Sequence, residues 1–226
     1  MKVIGWSKFK AVYPFIGGTA GGHKWNLINP LDTDAAFRLA FSGGLTHDAN
    51  GITPNGSTGY ADSFFNQVSQ GISADNAHIS FYQNVDSTFG TSRVMVGANA
   101  TGNGSFIGVV GGGVTQAAGI AHANTGNWVS AGTTPTKGLF TICTDGTDRT
   151  QRFYINGTSY GTPEVSTGSL PNLNMLLFCH NSAGTPALYT NKRGAFVSMG
   201  LGLDATDQAD YYTAVQAFQT ALGRQV

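Results

Sequence analysis

Asp145 and Asp148 stand three residues apart in "TDGTDRT", a pair of carboxylates beside a strand-like run. Two carboxylates about 5 to 5.5 Å apart would suit a retaining glycosidase. The surroundings do not suit that chemistry. The chain has a single glutamate, Glu164, next to Pro163, and no strand-like stretch carries alternating acids. Aspartates in such connections usually cap turns, and Asp32 and Asp34 lie in a similar stretch. Nucleophilic catalysis has no better start, because no Gly-x-Ser-x-Gly elbow is present. His23, His47, His78, His122 and His180 are scattered without ligand spacing. "VVGGGVTQ", residues 109 to 116, lacks the Gly-Lys-Ser/Thr ending of a phosphate loop and any helix to follow. Cys143 and Cys179 sit in apolar runs with no CxxC spacing, and two buried thiols are expected.

Binding chemistry has more to work with. An aromatic ring can cover the apolar C–H face of a sugar while amides bond its hydroxyls. Trp128 in "NTGNWVSAG", flanked by Asn124, Asn127 and Ser130, fits that pattern, as do Tyr82, Tyr189 and Asn191. Packing of Trp128 at the edge of the fold fits it equally. No spacing specifies a calcium site. Asp145, Asp148, Asp86 and Asp62 are the carboxylates that could supply one, with Asp145 and Asp148 the leading pair; no other cofactor is expected.

Composition narrows the partners. Charged residues are 11% of 226, against about 25% in an average soluble protein. Twelve basic residues balance twelve acidic ones, so the formal net charge is zero. Phosphate neutralisation needs clustered Lys and Arg, so nucleic acid is excluded as an expected partner. No run approaches the ~20 apolar residues of a membrane span, and "MKVIGWSKFKAVYPF" lacks the apolar core of a signal peptide. Four Asn-x-Ser/Thr sequons, at 55, 99, 103 and 156, read as turn chemistry. The neutral, amide- and hydroxyl-rich surface suits a virion or extracellular setting.

The elements that must position these residues are mostly strands. From 37 to 200, eleven short runs are broken by Gly, Asn, Ser and Thr, among them "FRLAFSG", "AHISFYQNV", "KGLFTICTD" and "GAFVSMGLG". That rhythm predicts an all-β, two-sheet antiparallel sandwich. In "QRFYINGTSYG", Asn156-Gly157 predicts a two-residue type I′ turn pairing Ile155 with Thr158 and Phe153 with Tyr160. Trp6, Phe9 and Tyr13 fall at helical spacing before Pro14, which predicts a short N-terminal helix that mediates assembly or attachment. Asp204 as N-cap, with Tyr211, Val215, Phe218 and Leu222 on one stripe and Gly223 as the stop, predicts a terminal helix over 204–223. The division expected is 1–22, helix and Gly-rich connection, followed by one domain over 23–226.

"RFYINGTSYG", "NGSTGYADSFFN", "AHISFYQNV" and the closing "AFVSMGLGLDATDQADYYTAVQAFQTALGR" stand in the order found in concanavalin A-like and laminin-G-like jelly-roll domains. The chain most resembles those of tailed-phage structural proteins and related bacterial surface proteins, a likeness that includes "KAVYPFIGGTAGGHKWNL" near the start. The resemblance implies a jelly roll that binds glycans, binds proteins or decorates particles. The main expectation is a non-enzymatic virion subunit (tail, fibre or capsid-decorating), a homo-oligomer among other virion subunits that helps attach to host-surface glycans. A cell-surface carbohydrate-binding module is the alternative, and a glycan hydrolase ranks last.

Overall fold

A computed structural model describes residues 5–86, 92–100, 102–109, 117–124, 129–130, 137–165 and 167–226. In chain order its strands are β1 Phe9–Tyr13, β2 Ala40–Ser42, β3 Leu45–Asp48, β4 Gly51–Pro54, β5 Tyr60–Asp62, β6 Asn76–Gln83, β7 Arg93–Ala100, β8 Asn103–Val109 and β9 Ala117–Asn124. There follow β10 Val129–Ser130, β11 Gly138–Asp145, β12 Thr150–Ile155, β13 Thr158–Val165, β14 Leu176–Leu177, β15 His180–Ser182, β16 Thr185–Ala187 and β17 Gly194–Gly200. The α-helices among the described residues are α1 Ala20–His23 and α2 Ala205–Ala221.

One sheet runs β13-β12-β11-β6-β17-β4-β3, with β1 also paired to β17. The other runs β10-β9-β8-β7-β14-β5-β2, with β15 and β16 attached. Among the described strands the pairing is antiparallel, except that β15 lies parallel to β7. The period-2 alternation of the strands decides what lies between the sheets. In β6, Ala77, Ile79 and Phe81 point into the central core beside Phe140 and Ile142 of β11, Val197 and Met199 of β17, and Val96 of β7. The intervening Tyr82 joins a second core with Phe9, Phe196, Leu203, Tyr211 and Val215, on the outer face of the first sheet. Helix α2 covers that face.

Local chemistry sets the ends of these elements. The Asn156-Gly157 turn has φ of 51° and 75°, and the expected register is present: Ile155 opposite Thr158, Tyr154 opposite Ser159, Phe153 opposite Tyr160. The Asn156 side chain reaches back and accepts from the Leu139 N–H at 2.8 Å, fixing the turn against β11. In α2, Asp204 accepts from the Asp207 N–H at 2.9 Å and Asp207 accepts from the Asp204 N–H at 3.1 Å, a reciprocal capping box. At the other end Gly223 adopts φ 68°, and the Gly223 and Arg224 N–H groups close onto the carbonyls of Thr220 and Gln219.

The N-terminal expectation is overturned. Trp6–Lys8 form one 3-10 turn, and Phe9–Tyr13 form a strand rather than a helix. Phe9 and Tyr13 are fully buried in the two cores, so neither can contact another subunit. Trp6 alone of the three remains at the surface, 45% exposed. The helix stripe also differs at its end: Leu222 is exposed, and Gln208 and Gln219 are buried with Tyr211 and Val215. Two hairpin strands, β3 and β4, were not expected; their turn at Asn50 is held by the Asp48 carboxylate, which accepts the Asn50 N–H at 2.7 Å.

Candidate functional site

Strands β5 and β7 each pair antiparallel to β14, so they run parallel to one another and open at the same end of the sandwich. Tyr60 opens β5 and Arg93 opens β7. The segment after β16 returns to that end, where Tyr189 bridges Val94 in parallel and the Val94 N–H donates to the Leu188 carbonyl at 2.9 Å. The two half-exposed tyrosines, Tyr60 and Tyr189, thereby meet edge to face, with ring centroids 6.4 Å apart and planes 61° apart. Exposed Asn191 follows two residues on, past buried Thr190.

The loop between β4 and β5 frames this platform. Asn55 folds it by accepting the N–H groups of Ser57, Thr58 and Gly59 at 3.0, 2.9 and 3.1 Å. Gly56 has φ 79°, and a Cβ there would stand 3.1 Å from the Asn191 Cβ, so the loop lies directly against Asn191. Arg93 locks the two segments together: its Nη1 donates to the Gly56 carbonyl at 2.8 Å and the Tyr189 carbonyl at 2.5 Å. Lys192 is largely buried close by; burial first, then the charge of Arg93, lowers its pKa. Burial, with lesser contributions from Cys179 and Tyr60, raises that of the Tyr189 phenol. The arrangement offers two aromatic surfaces, neutral amide and hydroxyl groups, and fixed positive charge on a rigid sheet end. It can bind; it offers no acid–base pair.

Tyr189 and Asn191 thus fall together as sequence reasoning placed them in one class, and Tyr60 and Arg93 complete the group. No local signal marked those two, because they reach the site through strand order rather than chain proximity. Tyr82 does not belong: it is fully buried under α2, with its hydroxyl donating to Gln216 at 2.8 Å. The outward face of β6 looked available because a strand pattern does not show which helix covers it. Trp128 and Asn127 lie outside the described residues, and Asn124 ends β9.

The acidic pair is engaged in the turn between β11 and β12. Asp145 accepts from the Thr147 N–H at 3.1 Å and hydroxyl at 2.6 Å, and pairs with Arg152 at 3.1 Å. Asp148 accepts from the Thr150 N–H at 2.7 Å and lies 3.7 Å from the same guanidinium. Asp62 is bonded by Asn174 and Asp86 is paired with Lys137. Among the described residues no three His, Cys, Asp or Glu side chains gather as a metal cage.

A second cluster looks catalytic by composition. His78 Nε2 lies 3.0 Å from the Ser198 hydroxyl, which lies 2.8 Å from Ser80 and 2.7 Å from Tyr211. All four are fully buried between the first sheet and α2, so no substrate reaches them. They satisfy one another's polar groups in a dry interface. Cys143 and Cys179 are free and buried, and burial pushes both thiols up to about 12. Among the described residues, an apolar cavity of about 340 Å³ is lined by Pro14, Ile16, Trp25 and Leu27, and another of about 340 Å³, where β6 begins, is lined by Ile72, Arg149, Leu170 and Asn172. Neither includes the tyrosine pair, which is an open platform.

No family model matches the chain, and no curated protein matches its sequence. Solved structures do match its shape. The receptor binding domain of botulinum neurotoxin C/D mosaic serotype is 11% identical with a TM-score of 0.59, over 92% of this chain and 51% of that one. Domain 4 of AbnA, an extracellular arabinanase from Geobacillus stearothermophilus in complex with arabinotriose, is 15% identical with a TM-score of 0.50, over 90% of this chain and 97% of that one. NanB with Optactamide is 12% identical with a TM-score of 0.51, over 75% and 27%. The chain spans about half the length of the neurotoxin domain it matches. These likenesses show a shared β-sandwich fold.

Proposed function

We propose that this chain is a non-catalytic carbohydrate-binding module whose ligand lies on the Tyr60–Tyr189 platform. The observation that carries the reading is the edge-to-face tyrosine pair beside exposed Asn191, held on a rigid sheet end by Arg93. Aromatic faces supply apolar contact to a sugar ring, and the neighbouring Asn and Thr groups meet its hydroxyls. Two neighbours in fold support it: one was solved with arabinotriose, and one is a receptor binding domain. The non-catalytic part rests on Asp145 and Asp148, which are spent on Arg152 and on turn N–H groups.

The test is titration with neutral oligosaccharides, arabinotriose among them, followed by NMR. Saturable shifts should centre on Tyr60, Tyr189 and Asn191. Tyr189→Ala should weaken binding about five- to tenfold, the scale of one aromatic contact. Unchanged affinity in a Tyr60→Ala, Tyr189→Ala double variant sinks the site. Reducing sugar released from a polysaccharide, and lost in Asp145→Asn, sinks the non-catalytic part.

The resemblance of the motif order to that of tailed-phage structural proteins motivates a second reading, compatible with the first. In it the module is carried on a virion, as one subunit of a homo-oligomer, and meets host glycans there, with no cofactor beyond calcium. Mass spectrometry of purified particles tests it, and a chain found only free in the medium contradicts it.

A further inference from the structure

The positive charge at the platform narrows the class of sugar. Among the described residues Arg93 bonds only backbone carbonyls, through Nη1. Every acidic residue of the chain lies within the described residues, and no ion pair there involves Arg93. A guanidinium carries five N–H donors in a planar fork, and these two bonds leave Nε and Nη2. Lys192 adds a second positive charge within Coulombic range, largely out of water. A rigid Arg93 fork that no acidic side chain among the described residues pairs with favours an incoming anion, and the fork's geometry matches a carboxylate. The charge is local, since the chain as a whole is neutral and has no basic stripe, so a polyphosphate strand is a poor fit.

We propose that the platform takes an acidic sugar, with its ring on Tyr60 and Tyr189 and its carboxylate on Arg93. This rests on the glycan-binding reading and specifies the ligand. The Arg93 side chain then has two tasks: Nη1 holds the loop and the Tyr189 segment in place, and the rest of the guanidinium receives the anion.

The experiment uses the full chain on an array of neutral glycans with matched carboxylated and sulfated forms, then solution affinities for a bound set. The carboxylated form should bind about tenfold more tightly than its neutral counterpart at low salt, as a charged hydrogen bond warrants, and the advantage should shrink as salt is raised. Arg93→Gln should bring the ratio close to one. Because that variant also loosens the loop, Asn191→Asp, at an exposed position, is the second probe; its added carboxylate should pull the ratio below one. A wild-type ratio near one, with glycan still bound, overturns the acidic assignment and spares the glycan reading. A preference for the sulfated form over the carboxylated one overturns the carboxylate. No bound glycan of any kind overturns both.

Discussion

His23 and His47 meet through their Nδ1 atoms at 3.0 Å, so one ring must donate and the other accept. That contact exists only while at least one ring is neutral. His23 is buried, and burial first, then His47 and Arg224, lowers its pKa to about 4, against a small opposing effect of Asp48. Burial lowers His47 as well, and brings His78 and His180 to about 4. The unfolded chain binds protons near the ordinary histidine value of about 6.5. The native state therefore holds its full histidine contribution above that value and loses it as the pH falls towards 4. The loss is about 3 kcal/mol at pH 4 for a fully buried histidine such as His78. Urea unfolding between pH 7.5 and 4 should show a midpoint that drops from about pH 6.5 downward. His78→Gln should flatten the drop, even if it lowers the midpoint at neutral pH. A level midpoint to pH 4.5 contradicts the neutral, buried assignment.

At the scale of elements, the Asn156-Gly157 turn joins more than two strands. Gly157 has φ 75°, and a Cβ there would stand 3.1 Å from the Tyr212 Cβ, so the turn tip lies against α2. Gly157→Val forces a β-branched residue into positive φ and into the helix. The expected destabilisation is over ~1 kcal/mol, with loosened exchange protection in α2 as well as in β12 and β13. A change confined to the hairpin shows that the turn does not brace the helix. This hairpin was legible because two positive-φ residues between alternating strands admit few other folds. The runs at β6, β11 and β17 were legible for a similar reason, since both faces are buried and the apolar pattern is dense. β1 was not, because Trp6, Phe9 and Tyr13 satisfy a helical period in the same few residues in which Phe9, Ala11 and Tyr13 satisfy a strand period. Long-range pairing with β17 decides between them. The candidate platform was half legible: Tyr189 and Asn191 stand out as an aromatic near an amide, whereas Tyr60 and Arg93 join only through the order β7-β14-β5.

At the scale of the whole molecule, the chain's two ends are fastened by one side chain. Arg224, just past α2, is buried at 4% exposure. Its guanidinium donates to the carbonyls of Pro14 at 2.6 Å, Phe15 at 2.9 Å, Ala195 at 2.9 Å and Ala49 at 3.3 Å, and to the Gln219 side chain at 2.6 Å. Those acceptors come from the end of β1, the turn between β3 and β4, β17 and α2, so four elements share one cation. Burial lowers its pKa, to about 10, which still leaves it charged at neutral pH. Phe15 bends there at φ 45° and packs on Phe178 in the central core, 6.2 Å between centroids. The N-terminal strand is therefore held in the sandwich from both sides, by its ladder to β17 and by this guanidinium. Arg224→Ala leaves several buried carbonyls without donors, and the expected cost is about 3 kcal/mol. Arg224→Lys keeps the charge but not the five-donor fork, so it should recover only part of that. Deleting residues 1–16 removes β1 together with Pro14 and Phe15, and should yield an unfolded or aggregated chain rather than a folded monomer. Circular dichroism and size-exclusion chromatography of the three variants decide it. A soluble, cooperatively folding deletion variant would show that β1 is an appendage after all, and would return the N-terminal segment to a role in assembly.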